Sequence, residues 1–259
     1  MDIMTIVGFT LGAVIMTWGI GTSGIAAKLL NLHGIVIVVG GTLAAAVINT
    51  SYKRFLSGAR ALVDIFLKAS MPGVDECVRT VVQLSDTAQK QGGIMALTNV
   101  DGRFAGGFLK RAVSVAMVSA QSQETRNILE EEIRRRRLDI QEDSNFYRTM
   151  SVLSPMFGLI GTLFGIIQSL GNLDPAKIGP SMATAISSAF FGIALSNLVF
   201  VPVANKIRLR AMEETLVLQL LLEGVIDIMS GKTPHLIEIH LRGYQFEAAA
   251  KAPPPKKGL

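Results

Sequence analysis

The sequence is poor in charged and aromatic residues for its length. Of its 259 residues, 17% are charged and 6% are aromatic, whereas a soluble domain carries about a quarter charged residues. Cys77 is the only cysteine, which excludes a disulfide bond within the chain. We expect it to be an inert thiol rather than part of a metal site. These shortages argue against a water-soluble domain.

Charge is absent altogether from four long stretches. Each lacks Asp, Glu, Lys and Arg and exceeds the roughly 20 residues that a helix needs to cross a bilayer. The stretches are Ile3–Ala27, Leu29–Tyr52, Thr149–Leu173 and Ile178–Asn205. A signal peptide is a poor interpretation of the first, because the acidic Asp2 precedes it instead of a basic region. The sequence therefore predicts an all-α integral membrane protein with four transmembrane helices and a helical cytoplasmic domain.

The lysines and arginines indicate how these helices are oriented. Fifteen of the 25 lie between positions 51 and 149 and eight lie after position 204, whereas the two short connections hold one each. Because positive charge stays on the cytoplasmic side, we predict that the middle segment and both termini are cytoplasmic in a bacterial inner membrane. The pI of about 9.5 then reflects topology. Without a base-reading motif, it does not indicate nucleic-acid binding.

The charge pattern predicts five segments along the chain. They are transmembrane helices one and two (1–52), a cytoplasmic helical domain (53–148), transmembrane helices three and four (149–205), cytoplasmic C-terminal helices (206–246) and a disordered basic, proline-rich tail (247–259). Within the cytoplasmic domain, helical periodicity predicts helices at Val74–Gln91 and at roughly Phe104–Val118. Gly92-Gly93 provides the stop signal of the first.

A further cytoplasmic helix is predicted to start near Ser119–Ser122 and to run toward the third span. It carries Glu130-Glu131-Glu132 followed by Arg134-Arg135-Arg136-Arg137. Several of these charges are three or four residues apart and can pair along one helix. The run is therefore either a solvated, self-paired helix face, a contact with membrane phospholipids, or a docking surface for another protein.

The four spans contain no acidic or basic residue. They offer no carboxylate that could take up a proton or sodium ion, so either the chain conducts nothing or a partner supplies the charge. We interpret His33, near the outer edge of the second span, as an interfacial residue rather than a proton relay.

Small and hydroxyl-bearing residues recur at helical spacing in the third and fourth spans. They are Gly158, Thr162, Gly165 and Ser169 in the third, and Thr184, Ser188, Gly192 and Ser196 in the fourth. Such faces indicate close packing between the chain's own helices, a wall around a partner helix that coordinates an ion in transit, or both. Pro155 and Pro202 lie inside the same spans and predict kinks there. Each kink is either static or a hinge that transmits a change in the ion path.

Ordered sequence patterns lie along the chain between Ile35 and Leu241. They are Ile35-Val36-Ile37-Val38-Val39-Gly40-Gly41, Pro155-Met156-Phe157-Gly158-Leu159-Ile160-Gly161-Thr162-Leu163, Asp174-Pro175 with Ile178-Gly179-Pro180, Ala194 to Lys206 with Ser196-Asn197 and Pro202, and the C-terminal Gly231, Pro234, Ile237 and Leu241. In these patterns the chain resembles the MotA/PomA family, the ion-driven stator proteins of the bacterial flagellar motor. The block from the third to the fourth span is the most specific part of the resemblance.

The resemblance implies a function and partners that composition does not. It implies a homopentamer that surrounds two copies of a single-pass MotB/PomB-type subunit, which carries the essential membrane aspartate and anchors to peptidoglycan. Flow of protons or sodium ions past that aspartate would turn the ring against the rotor protein FliG. The family has no cofactor and no resident metal, and it works among membrane lipids without nucleic acid.

The resemblance also assigns roles to particular residues. Pro155 and Pro202 take the places of the family's two functional prolines, and Thr162 takes that of a pore-facing threonine. With Thr184, Ser188 and Ala189 it forms the predicted ion path. Ala189 stands where the family commonly has threonine, and the missing hydroxyl favours protons over sodium.

The rotor-facing charges depart from the family pattern. The family has basic residues, a Gly-Gly pair and then a cluster of acids, whereas this chain keeps Gly92-Gly93 but has Thr98-Asn99-Val100-Asp101 in place of the cluster. The candidates for rotor contact are Lys90, Asp101, Arg103, Glu131 and Arg134.

Three other functions are weighed against the stator. An ExbB/TolQ-like energiser of envelope processes shares the ring-around-a-partner logic, but it usually has three spans. An independent channel lacks any membrane charge or filter segment. An enzyme lacks a nucleophile–base pair, a phosphate loop and metal-ligand spacing.

Overall fold

The computed structural model of the chain describes residues 3–22, 24, 29–66, 71–97, 100–119, 121–171 and 175–251. Of these residues, 91% are helical and none lies in a strand. The helices are α1 (Ile3–Thr22), α2 (Leu32–Asn49), α3 (Tyr52–Phe66), α4 (Val74–Gln91), α5 (Phe108–Ser119), α6 (Ser122–Leu170), α7 (Pro175–Leu195), α8 (Val201–Met229) and α9 (Pro234–Lys251). The predicted all-α fold is confirmed.

Four helices are long and apolar enough to cross a membrane, as the charge-free stretches predict. The apolar windows fall within Met4–Thr22, Leu32–Asn49, Ser122–Leu170 and Ile178–Met229. Two of these helices, α6 and the continuous run from α7 through α8, are much longer than a span because they continue into charged sequence.

The chain divides into two compact units. The first unit comprises Met1–Ala69 and Ile140–Leu209, and the second comprises Ser70–Asp139 and Arg210–Leu259. The first therefore contains the predicted spans, and the second contains α4, α5 and α9. The five-segment division of the chain stays a prediction.

In the first unit, α3 packs on α6 through a glycine. A Cβ atom on Gly58 would lie only 2.7 Å from the ring of Phe146, so no larger residue fits without a shift of that ring. The neighbouring Tyr147 is buried and its hydroxyl donates to the carbonyl of Gly58 at 2.7 Å. These contacts hold α3 against α6.

The second unit has a core of aliphatic side chains. Phe108, Leu218, Leu221 and Ile237 are among its fully buried members. Cys77 lies in the same core, and burial raises the pKa of its thiol to about 12. The thiol is therefore protonated and shielded at neutral pH, as expected for an inert cysteine.

Three helix boundaries differ from the sequence-based prediction. The helix predicted from Phe104 begins at Phe108, because Phe104–Gly107 forms a 3₁₀ turn in which Ala105 has a φ of 50°. The final helix continues past 246 to Lys251, and residues 252–259 of the predicted tail lie outside the described residues. The third span is the C-terminal part of α6, a single helix of 49 residues. The helix of Val74–Gln91 matches its prediction, and Gly92 ends it with a φ of 91°.

Candidate functional site

The small-residue faces of α6 and α7 pack directly on each other. A Cβ atom on Gly158 would lie 2.9 Å from the carbonyl oxygen of Ser188, and one on Gly192 would lie 2.8 Å from that of Ser154. A Cβ on Gly165 would lie 2.6 Å from the carbonyl oxygen of Ser181. Backbone meets backbone at these points, which only glycine permits. Packing between the chain's own helices is thus confirmed, and the wall around a partner helix stays a prediction.

Thr162 contacts both helices of this pair. Its hydroxyl lies 2.9 Å from the carbonyl of Gly158 on its own helix and 3.2 Å from that of Ala185 on α7. A threonine hydroxyl that donates to a carbonyl keeps lone pairs for a cation or a water. Thr162 is half-buried, so it keeps some exposure in the single chain.

Thr184 and Ser188 are more fully engaged within the chain. The hydroxyl of Thr184 donates to the carbonyl of Pro180 at 3.2 Å and accepts from the amide of Asn31 at 2.8 Å. Ser188 is fully buried, donates to the carbonyl of Thr184 at 2.8 Å and packs against Gly34 and Gly161. Ala189 is half-buried beside Gly158. The structure thus brings α2, α6 and α7 together here, and the place of these residues in an ion path stays a prediction.

Asn31 is a site residue that the sequence analysis missed. Its side-chain oxygen accepts from the backbone N–H groups of His33 at 3.0 Å and Gly34 at 3.3 Å, which caps α2. Its amide donates to Thr184, so one side chain fixes both the start of α2 and the hydroxyl of Thr184. Asparagine before an apolar run is an N-cap signal that could have revealed the first role.

Pro155 interrupts α6 without breaking it. A proline has no N–H to donate to the carbonyl four residues earlier, which here belongs to Ser151. The hydroxyl of Ser196 donates to that carbonyl at 2.6 Å. A second buried serine, Ser154, donates to the carbonyl of Gly192 at 3.0 Å. The polar backbone group that Pro155 leaves without its helical donor is therefore satisfied from the fourth span.

Pro202 follows a π turn. Residues Ser196–Phe200 form the turn, and the N–H of Val201 donates to the carbonyl of Ser196, five residues earlier. Because Pro202 cannot donate to the carbonyl four residues before it, wider spacing at this point lets the helix continue. The structure thus shows a bridged carbonyl at Pro155 and a π turn before Pro202. The kinks themselves stay predictions. Their role as hinges stays a prediction.

The predicted rotor-contact residues are mostly exposed and locally paired. Lys90 pairs with Asp86 one turn earlier at 2.5 Å, and Asp101 accepts from the backbone N–H of Arg103 at 2.9 Å. On α6, Glu131 pairs with Arg134 at 2.7 Å and with Arg135 at 2.9 Å. Glu132 and Arg136 of the same run also contact charges on α5 and α8. The run is therefore self-paired only in part, and its three interpretations stay open.

Some charged contacts in the second unit are less exposed, among them those of Arg126 and Glu214. Arg126 makes a two-pronged contact with Glu223, with distances of 2.5 and 2.8 Å. These hydrogen bonds raise the pKa of the Arg126 guanidinium, so it is charged at any physiological pH. Glu214 lies 3.9 Å from Arg136, and burial raises the pKa of its carboxyl. Among the described residues, no three His, Cys, Asp or Glu side chains are grouped to hold a metal ion.

Comparison with known proteins places this geometry in a family. Residues 101–219, which include the α6–α7 pair, match the model of the MotA/TolQ/ExbB proton channel family. Protein YtxD of Bacillus subtilis is 32% identical, with 93% of this chain and 89% of YtxD covered. The chain belongs to the MotA/TolQ/ExbB proton channel family.

Within the MotA/TolQ/ExbB family, the resemblance to the MotA/PomA group is confirmed. Chemotaxis protein PomA of Vibrio alginolyticus is 28% identical over 95% of this chain and 96% of its own. Motility protein A of Cereibacter sphaeroides is 29% identical over 92% of this chain and 93% of its own. This is a family of membrane channel proteins and not of enzymes, which agrees with the apolar helices and makes the chain a protein of the bacterial inner membrane.

Solved MotAB structures share the fold. The C. jejuni MotAB structure matches with a TM-score of 0.85 at 21% identity, over 94% of this chain and 96% of that one. The flagellar MotAB stator complex of Bacillus subtilis matches with a TM-score of 0.85 at 23% identity, over 96% and 98%. The chain therefore has the fold of a chain in these two complexes.

Proposed function

We propose that this chain is a flagellar motor stator subunit that converts the flow of ions into torque on the rotor. The observation that carries the proposal is similarity to PomA and Motility protein A over more than nine-tenths of the chain, including all four spans. The packing of α6 on α7 supports it, because hydroxyls and backbone carbonyls are the polar groups that a charge-free membrane wall can offer to an ion.

The partner in this proposal supplies the titratable group. The four charge-free stretches hold no carboxylate, and a chain without one cannot itself take up and release a proton inside the membrane. We therefore propose that five copies surround two copies of a MotB/PomB-type single-pass subunit with a membrane aspartate. Both termini of this chain lie in the cytoplasm in that assembly, as the distribution of lysine and arginine indicates.

The proposed ion is the proton. Thr162 keeps lone pairs beside the α6–α7 contact, but Ala189 adds no hydroxyl, and one lone pair of Thr184 is occupied by Asn31. Sodium needs several oxygen ligands, whereas a proton needs only a partner carboxylate and a path of water or hydroxyls. The described hydroxyls therefore suit protons better than sodium.

The proposed rotor surface lies in the second unit and contacts FliG. Lys90, Asp101, Arg103 and Arg134 are exposed. The ion pairs of Lys90 and Arg134 each lie within one helix. Surface pairs of this kind contribute about 0–1 kcal/mol to stability. They can therefore exchange partners with charges of a rotor protein at little cost.

A second candidate, an ExbB/TolQ-like energiser of envelope processes, is favoured by the family model, whose description includes both proteins. The test is swimming of cells from which this gene and any other stator gene are deleted, with this chain restored from a plasmid. We expect flagellated, non-swimming cells that recover motion, with speed sensitive to a protonophore and indifferent to sodium. Cells that stay non-swimming although the restored chain reaches the membrane would favour the envelope role instead.

A matched pair of variants tests the ion path in the same strain. Thr162→Val removes the hydroxyl at nearly constant volume and should lower torque at unchanged membrane level. Thr17→Val makes the same change on α1, where the hydroxyl is exposed and donates to its own helix at 2.8 Å, and should leave torque unchanged. Equal torque in both variants would contradict the assignment of Thr162.

A further inference from the structure

Two buried serines each donate a hydrogen bond from one of the third and fourth spans to a backbone carbonyl of the other. Ser154 on α6 donates to the carbonyl of Gly192, and Ser196 at the start of the π turn donates to the carbonyl of Ser151. Ser154 is fully buried and Ser196 is 5% exposed. A serine in a helix normally donates to its own helix three or four residues earlier, so both hydroxyls have turned outward to the neighbouring helix.

The two hydrogen bonds differ in whether the accepting carbonyl also has a backbone N–H donor in its own helix. Pro155 removes the helical donor of the Ser151 carbonyl, so the hydroxyl of Ser196 takes the place of a backbone N–H. No proline stands four residues after Gly192, so the Ser154 bond serves a carbonyl without that defect. A buried carbonyl without a donor is costly in a membrane. The Ser196 bond is therefore the one that the proline makes necessary.

Ser196 also belongs to the distortion at the second proline. The carbonyl of Ser196 accepts from the N–H of Val201, which closes the π turn immediately before Pro202. One residue thus contacts both proline sites, with its hydroxyl at the break in α6 and its carbonyl in the turn before α8. A shift of the π turn that withdrew the hydroxyl would leave the Ser151 carbonyl without a donor.

We propose that Ser196 is a positioning residue that joins the two prolines into one mechanical unit, by supplying the donor that Pro155 removes. A displacement of the backbone at Pro202 is then transmitted to Pro155 through the hydrogen bond from the Ser196 hydroxyl to the Ser151 carbonyl. The mechanical part of this inference rests on the proposed stator function, whereas the existence of the bond does not.

A double-mutant cycle on the full chain in lipid nanodiscs tests the bond. Ser196→Ala should lower the apparent unfolding midpoint, at one fixed heating rate, by about 4 °C. The same change in a Pro155→Ala background should cost much less, because an alanine at this position restores the N–H that the Ser151 carbonyl needs. Equal shifts in both backgrounds would overturn the inference.

Ser144→Ala is the matched control. Ser144 is also a buried serine whose hydroxyl crosses to another helix, at 2.9 Å from the carbonyl of Ala204, and no proline follows four residues after Ala204. Its cost should be the same in the parent chain and in the Pro155→Ala background. If Ser196→Ala prevents accumulation of the protein, recovery by Pro155→Ala supports the inference, and no recovery contradicts it.

Torque in tethered cells tests the mechanical part. At equal membrane level, Ser196→Ala should lose torque and Ser144→Ala should not. Unchanged torque of Ser196→Ala in a working motor would overturn the positioning role, even if the cycle shows the bond. If the deletion strain shows that the chain drives no flagellum, the stator proposal fails, and the nanodisc cycle still decides whether the bond exists.

Discussion

In the second unit most of the fully buried side chains are apolar, such as Leu218, Leu220 and Leu221, whereas in the first unit several are serines, such as Ser154, Ser187 and Ser188. The exposed side chains show the reverse. Leucine and isoleucine are exposed along α1, where Leu11 is 58% and Ile15 57% exposed, and arginines and glutamates cover α6 within the second unit. The second unit thus buries apolar side chains, which water solvates poorly. The first unit buries hydroxyl groups, which lipid tails solvate poorly.

This difference indicates two driving forces within one chain. Water drives leucine into the second unit through the hydrophobic effect. Lipid tails solvate leucine as well as a protein does, so the first unit is held by close backbone approach and by hydroxyl-to-carbonyl bonds. Enlarging a glycine at a helix contact should therefore be most harmful in the first unit. Shortening a buried leucine should be most harmful in the second.

The largest effect is expected where two backbones touch in the first unit. Gly192→Leu would place a side chain where even a Cβ atom lies 2.8 Å from the Ser154 carbonyl oxygen and 3.0 Å from the Cα of Gly158. We expect a loss of more than about 4 kcal/mol, seen as failure of the protein to accumulate in membranes. Gly40→Leu, a glycine with no atom within 4 Å of its Cβ position, is the control and should accumulate normally. Similar accumulation of the two variants would contradict the conclusion that close backbone approach holds the first unit together.

An intermediate effect is expected from shortening a leucine. Leu221→Ala, at a fully buried position of the second unit, should lower the free energy of unfolding by about 2–5 kcal/mol, because it leaves a cavity. Leu11→Ala on α1 should change it little in lipid nanodiscs, because lipid tails replace the lost contacts. The measurement is the apparent unfolding midpoint of both variants at one heating rate. An equal loss in both would mean that Leu11 packs against protein.

The sequence predicted most of the helices, because charge and periodicity are local signals. The stop at Gly92 was predicted from the glycine pair and is confirmed by a left-handed φ. The continuation of one helix through position 149 was not predicted, because the start of a charge-free run marks a change of solvent and not the end of a helix. The turn at Ala105 gave no signal either, because alanine rarely has a positive φ.

The candidate site was predicted less completely than the fold. Thr162, Thr184 and Ser188 were recognised by spacing and resemblance, but the partners of their hydroxyls depend on how α2, α6 and α7 are aligned. A single sequence does not specify that alignment. Ser196 was recognised as one of a row of small residues, and its bond to the carbonyl of Ser151 emerged only from the structure.

The smallest expected effect tests the electrostatics of the second unit. Burial raises the pKa of the Glu214 carboxyl, and Arg136 offsets this only in part. A carboxyl with a raised pKa favours folding while protonated, so its contribution is present below the ordinary glutamate pKa of about 4.3 and is lost as pH rises through the folded-state value. Glu214→Gln should therefore raise the unfolding midpoint slightly at neutral pH, with no gain at pH 4.

Glu131→Gln is the control of opposite sign. Arg135 and Arg134 lower the pKa of the exposed Glu131 carboxyl, so its charged form favours folding, and its replacement should not raise the midpoint at neutral pH. Midpoints measured from pH 4 to pH 8 separate the two variants. A lower midpoint for Glu214→Gln at neutral pH would mean that attraction by Arg136 outweighs burial. The interior of the second unit would then tolerate a paired charge at Glu214, as it does at the buried Asp227, which pairs with Lys232 at 2.6 Å.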